Sequence, residues 1–167
     1  MPTEKNYHVD LERAINQNAD MIYRIAVTIT GNQADAEDVF QETFLRLVKH
    51  QDKIQSEEHL KAWLIRVANN CAKTAVTNSW NRKTQGITEE IEEKRQIKDP
   101  FLSSLITELW QLPRKYSLVL YLYYYEGYSV KEISLLLNKN ENSVKTLLNR
   151  GRGLLRKRLE EGGYKDE

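Results

Sequence analysis

Between Asn138 and Arg158 the chain carries seven basic side chains against one acid, Glu141, a local surplus of six in a protein whose formal net charge is only +1. Guanidinium and ammonium groups at that density hold phosphates. On a helix, Asn142, Lys145, Thr146, Asn149, Arg150, Arg152 and Arg156 would turn away from the apolar residues between them. Amides, hydroxyls and arginines on one face are the groups that read base edges in a major groove, so DNA is the expected partner. The plainer alternative is a solvated charged helix with no ligand. A second constellation has the opposite sign: residues 34–47 contain four acids and no base before Arg46. Its apolar stripe leaves Asp35, Asp38, Gln41, Glu42 and Leu45 toward another face. Carboxylates around an exposed leucine suit a basic protein partner better than DNA. Acids early in a helix also complement its N-terminal dipole, and that structural explanation stays open beside the docking one.

Helices are needed to position these groups. Val144, Leu148, Gly151 and Leu155 recur at spacings of three and four, with Leu147 and Leu154 widening the stripe, so one side of this segment packs. Upstream, Ser129-Val130-Lys131-Glu132 has the form of a capping box and opens the apolar run Ile133, Leu135, Leu136, Leu137. Asn138-Lys139-Asn140 supplies the left-handed residue of a sharp turn, and the next helix begins at about Glu141, which gives a helix-turn-helix outline. Nearer the N-terminus, Gly31 separates helices predicted over roughly 10–29 and 34–50, the second with Val39, Phe40, Phe44, Leu47 and Val48 as its core stripe. A third helix is seeded after Ser56-Glu57-Glu58 and runs through Trp63, Leu64, Val67, Ala68 and Cys71 toward Trp80, with Trp63 in the apolar stripe and read as core. Residues 84–100 are polar, rich in Glu and Lys, and read as a linker. Beyond it, 101–110 and 115–125 are expected to be helices around Leu112-Pro113, with Tyr121 to Tyr125 as a buried helix end. Nothing alternates as a strand should, so the fold class is all-α: two small helical domains, 1–83 and 101–167, joined by a flexible linker.

Composition excludes several classes. At 29% charged and 40% hydrophobic, 167 residues make an ordinary globular chain, not a disordered or fibrous one. No apolar run reaches the length of a membrane span and the first residues lack a signal-peptide core, so a cytoplasmic protein with no membrane insertion is expected. The single cysteine, Cys71, has no internal disulfide partner. His8, His50 and His59 do not share metal-ligand spacing with it, and no Gly-rich phosphate loop is present, so neither an enzyme nor a metal or cofactor protein is expected.

Three blocks carry a family resemblance. Asp35-Ala36-Glu37-Asp38-Val39-Phe40-Gln41-Glu42-Thr43-Phe44 resembles the polymerase-docking motif of bacterial RNA polymerase sigma factors of the sigma-70 family. Ala62-Trp63-Leu64-Ile65-Arg66-Val67-Ala68-Asn69-Asn70 is similar to the promoter-melting helix of their extracytoplasmic-function (ECF) group. Leu112-Pro113-Arg114-Lys115-Tyr116, Tyr125-Glu126-Gly127-Tyr128-Ser129, Lys131-Glu132-Ile133 and Ser143-Val144-Lys145-Thr146 resemble that group's fourth region.

The resemblance implies a transcription initiation factor. Its first domain would bind core RNA polymerase through Asp35, Asp38, Gln41, Glu42 and Leu45 and open the minus-10 element, starting at Asn70. Residue chemistry agrees, because Lys73, Thr74, Thr77, Asn78, Trp80, Asn81, Arg82 and Lys83 set aromatic, amide and basic groups side by side, as stacking on unpaired bases requires. The second domain would hold the minus-35 element of promoter DNA through Asn142, Ser143, Lys145, Thr146, Asn149, Arg150 and Arg152. An anti-sigma factor is a further implied partner. Two departures stand out: Thr74 and Thr77 occupy positions where many members carry an acid or amide and a base, and Leu147 stands where arginine is frequent. The rival reading is a helix-turn-helix regulator whose N-terminal helices sense a ligand or dimerise, which leaves the acidic face unexplained.

Overall fold

The computed structural model describes residues 7–80 and 100–162, which form helices and no strand. They divide into two compact units, one within Met1–Thr88 and one within Glu89–Glu167. In the first, α1 (Leu11–Thr30), α2 (Gln33–His50) and α3 (Glu57–Trp80) each pack on the other two, with a 3-10 turn at Gln51–Lys53. The boundaries follow local chemistry. Asp10 accepts the Arg13 N–H at 3.2 Å to cap α1, and Gly31 ends that helix at φ 70, where a side chain would be strained. Asn32 then caps α2, its Oδ1 accepting the Asp35 N–H at 2.8 Å. At the start of α3 Ser56 accepts the His59 N–H at 3.0 Å as the cap, while His59 Nδ1 accepts the N–H of Gln55, the residue before the cap, also at 3.0 Å. Ile22, Ile25, Leu47, Ile54, Leu64 and Ile65 fill the interior of this unit.

The α2 stripe is rotated from its expected position. Ala36, Val39, Thr43, Phe44 and Leu47 are buried, whereas Val48 is 47% exposed and Phe40 sits at the edge. Ala36 and Thr43 are fully buried, and the Thr43 hydroxyl donates to the Val39 carbonyl at 2.7 Å, so its burial leaves the hydroxyl paired. Trp63 is half-buried, its ring 6.4 Å from that of His50, and therefore belongs to the rim of the core.

The second unit contains α4 (Pro100–Trp110), α5 (Arg114–Leu120), a π-helical turn (Tyr121–Tyr125), α6 (Val130–Leu137) and α7 (Glu141–Glu161). Here α7 is the central element, packing on α4, α5 and α6. Pro100, expected to end the linker, opens α4, a position where its missing N–H costs nothing. The Ser117 hydroxyl lies 2.7 Å from the Leu109 carbonyl and 3.1 Å from that of Leu112, tying the α4–α5 turn to α5. The tyrosine run departs from its expected form. Tyr121 and Leu122 are buried, but Tyr124 is 57% exposed, because the chain widens into a π turn closed by the Glu126 N–H on the Tyr121 carbonyl at 3.2 Å. The helix-turn-helix forms as expected. Ser129 and Glu132 make both hydrogen bonds of the capping box at 3.1 Å, Asn138 is left-handed at φ 52, and Asn140 caps α7 by accepting the Ser143 N–H at 2.7 Å. The expected linker, 84–100, lies outside the described residues except for Pro100.

Candidate nucleic-acid interface

Along α7, Val144, Leu148 and Gly151 are buried against the unit, and Asn142, Ser143, Lys145, Thr146, Asn149, Arg150 and Arg156 are exposed. One face therefore carries hydroxyls, amides and cations free to meet a ligand. The first turns of α7 and the preceding turn line a shallow depression with Lys139, Asn140, Asn142, Ser143, Thr146 and Leu147. Leu147 is half-buried there, and Leu154, read from the sequence as widening the packed stripe, is 38% exposed. The Thr146 hydroxyl donates to the Asn142 carbonyl at 2.9 Å, which leaves its lone pairs and methyl group for anything docking on this face.

Arg152 behaves differently from its neighbours. Its Nε donates to the Tyr124 hydroxyl, its guanidinium carbon lies 5.4 Å and 5.5 Å from the Tyr123 and Tyr124 ring centroids, and Nη1 donates to Asn149 Oδ1 at 3.2 Å. A guanidinium held over two aromatic faces is pre-oriented and less free to follow a base edge, which suits a phosphate anchor. Nothing in the sequence marks this cluster, since Tyr124 and Arg152 are 28 residues apart. At the far end of α7 an Arg158 to Glu108 ion pair of 3.0 Å fixes the helix to α4.

In the first unit the exposed acidic face is present but narrower than expected. Asp38, Gln41, Glu42 and Leu45 are exposed and fall on successive turns of α2, joined by Val48. Asp35 is half-buried and accepts the Asn32 side-chain N–H at 2.6 Å, so its carboxylate is occupied by the helix cap. Glu42 pairs with Arg46 at 2.9 Å, both half exposed, which is a weak interaction a partner could displace. Leu45 at 56% exposure and Val48 at 47% give the face an apolar centre that its flanking carboxylates outline.

On α3, Asn70, Lys73, Thr74, Thr77 and Asn78 are exposed along the last turns. The Thr74 and Thr77 hydroxyls donate to the Asn70 and Lys73 carbonyls at 3.1 Å and 3.0 Å, so like Thr146 they present acceptors and methyl groups. Trp80 ends α3; Asn81, Arg82 and Lys83 lie outside the described residues. Cys71 on the same helix is buried, and desolvation pushes its thiol pKa up against the pull of Arg46, which disfavours the reactive thiolate. Among the described residues no cluster of His, Cys, Asp and Glu could hold a metal ion, and no helix is long and apolar enough to cross a membrane.

Residues 14–82 match the family described as Sigma-70 region 2, and residues 102–155 the family described as Sigma-70, region 4. The ECF RNA polymerase sigma factor SigW of Bacillus subtilis is 30% identical over 156 residues, which cover 84% of this chain and 83% of that protein. SigL of Mycobacterium tuberculosis, also an ECF sigma factor, is 30% identical over 161 residues, covering 92% of this chain and 91% of its own. In fold, the chain is similar to the sigma factor RpoE of Bartonella quintana, solved in complex with the anti-sigma factor NepR, with a TM-score of 0.74 at 17% identity over 90% of this chain and 97% of that one. The relatives are transcription initiation factors, not enzymes. With an acidic face on the region 2 unit and a basic helix-turn-helix in the region 4 unit, the chain belongs to the ECF group of the bacterial sigma-70 family, whose members bind RNA polymerase and promoter DNA to begin transcription.

Proposed function

We propose that the chain directs core RNA polymerase, in the cytoplasm, to promoters whose minus-35 element is held by α7 and whose minus-10 element is opened by the end of α3. The observation that carries this reading is the opposite polarity of two exposed faces: carboxylates around Leu45 and Val48 on α2, and lysines, arginines and amides on α7. The first suits a basic protein surface and repels DNA, while the second does the reverse. Docking falls to Asp38, Gln41, Glu42 and Leu45, on the clamp coiled coil of the largest polymerase subunit. Asp35 contributes less, because its carboxylate already serves Asn32.

On the minus-35 element, Asn142, Ser143, Lys145, Thr146, Asn149 and Arg150 meet base edges and phosphates, and Arg152 anchors a phosphate from its tyrosine seat. On the minus-10 element, Asn70, Lys73, Thr74, Thr77 and Asn78 lead to Trp80, Asn81, Arg82 and Lys83, which stack on and hold the unpaired strand. Residues 1–83 and 101–167 act as the two promoter-binding domains, with 84–100 as a linker that threads toward the RNA exit path. The RpoE structure contains NepR and that of the sigma factor relative CnrH contains CnrY, which supports an anti-sigma factor as a further partner.

The test is strand opening by the Trp80→Ala, Asn81→Ala double variant in holoenzyme. Closed complexes should form normally, and permanganate reactivity of minus-10 thymines should fall, since stacking is worth about 1–3 kcal/mol per base and exists only once bases are unpaired. A pre-melted bubble template should restore transcription. Normal opening of linear promoters by this variant would remove the melting role from this end of α3.

A further inference from the structure

We infer that Leu147 reads a pyrimidine C5 methyl group, so that one minus-35 position is selected as thymine, or as 5-methylcytosine, by apolar contact instead of hydrogen bonding. The inference rests on α7 being the minus-35 reader. Among the described residues that line the depression at the start of α7, Leu147 is the one apolar side chain; its neighbours there are Lys139, Asn140, Asn142, Ser143 and Thr146. It lies one turn beyond Ser143 on the same face, in the part of a recognition helix that meets base edges. The core does not require it to turn inward, because Val144 and Leu148, at 0% and 1% exposure, already fill the interior beside it. It is half-buried and lines the depression, so part of its side chain stays accessible to a ligand there.

Of the four base edges in a major groove, only thymine presents an apolar group, the C5 methyl. Guanine, adenine and unmethylated cytosine offer leucine no methyl group to pack against. Thr146 reinforces the choice, because its hydroxyl proton is committed to the Asn142 carbonyl at 2.9 Å and cannot satisfy a nearby acceptor. Burying one methyl is worth about 0.8 kcal/mol, which corresponds to about fourfold in affinity. 5-Methylcytosine carries the same methyl at the same ring position.

The experiment uses holoenzyme, the full chain with core polymerase, on templates with a randomised minus-35 element, followed by a uracil scan of the selected sequence. Thymine to uracil should weaken promoter complexes about fourfold at one position and leave the others unchanged. At that position cytosine to 5-methylcytosine should recover a similar factor. Leu147→Ala should bind thymine and uracil templates equally, and Leu147→Arg should move the selected base to guanine, a gain that a misfolded variant could not give. Equal binding of uracil and thymine at every position by the wild-type holoenzyme, with minus-35 selection intact, would overturn the role of Leu147 and leave the α7 assignment standing. No minus-35 selection at all would overturn both.

Discussion

Alanine at Gly151 should loosen the second unit, while alanine at Gly153, two residues along the same helix, should tighten it. Both substitutions gain the same helix propensity, about 1 kcal/mol. They differ in what the new methyl meets. A Cβ at Gly151 would lie 2.9 Å from Leu120 Cδ1, 3.2 Å from Leu120 Cγ and 3.3 Å from Tyr116 Cβ, whereas at Gly153 nothing lies within 4 Å. Leu120 is 0% exposed and packed in the core, so either its side chain or the α5–α7 spacing has to give. Overpacking of this kind costs about 1–3 kcal/mol. Gly153→Ala should therefore stabilise by about 1 kcal/mol and Gly151→Ala should destabilise by about 0–2 kcal/mol. Their difference isolates the overpacking cost because the propensity gain cancels. Native-state hydrogen exchange of the α5 and α7 amides is the suitable assay, since a chain with two units need not unfold in a single transition. Equal protection in the two variants would refute the claim that Gly151 sets the spacing of the recognition helix.

Three further outcomes are expected. Asp38→Arg or Glu42→Arg should abolish capture by core polymerase without loss of hydrogen-exchange protection in α1–α3, because both side chains are exposed; unchanged capture of both variants would take the α2 face out of docking. Lys145→Ala and Arg150→Ala should each cost about 1–3 kcal/mol and relax selectivity if the side chain meets a base, or weaken all templates alike and reduce the salt slope by about 0.9 if it meets a phosphate; unaltered promoter complexes would mean the helix faces elsewhere. Glu132 is held below the usual carboxylate range by the Ser129 N–H and hydroxyl, so its capping contribution is complete above the ordinary glutamate pKa of about 4.3 and is lost as pH falls through the lower folded value. Glu132→Gln should flatten that acid limb in a circular-dichroism titration, and an identical limb in the variant would contradict the assignment.

Helix positions were legible because their determinants are local. The Ser129 to Glu132 box, the left-handed Asn138 and the Gly31 stop each act within a few residues, and the expected helix boundaries fall within about a residue of those observed. Faces were harder to read. Hydrophobicity placed Val48 in the core, but Ala36 and Thr43 take the buried positions of α2 and Val48 is left with Leu45 on the surface. Asp35 looked equivalent to Asp38 until its hydrogen bond to Asn32 separated a capping carboxylate from a free-facing one. The Arg152 seat on Tyr123 and Tyr124 depends on a π turn that opens the tyrosine run, and no periodicity announces a contact across 28 residues.

Run-off transcription with purified core polymerase on genomic fragments tests the central claim most directly. The account predicts discrete transcripts that require this chain, disappear with Glu42→Arg and start downstream of a shared minus-35 and minus-10 pair, with weak binding to duplex promoter DNA when core is absent. Tight, sequence-specific binding to duplex DNA by the chain alone, with no core-dependent transcript from any fragment, would contradict it and favour a helix-turn-helix regulator.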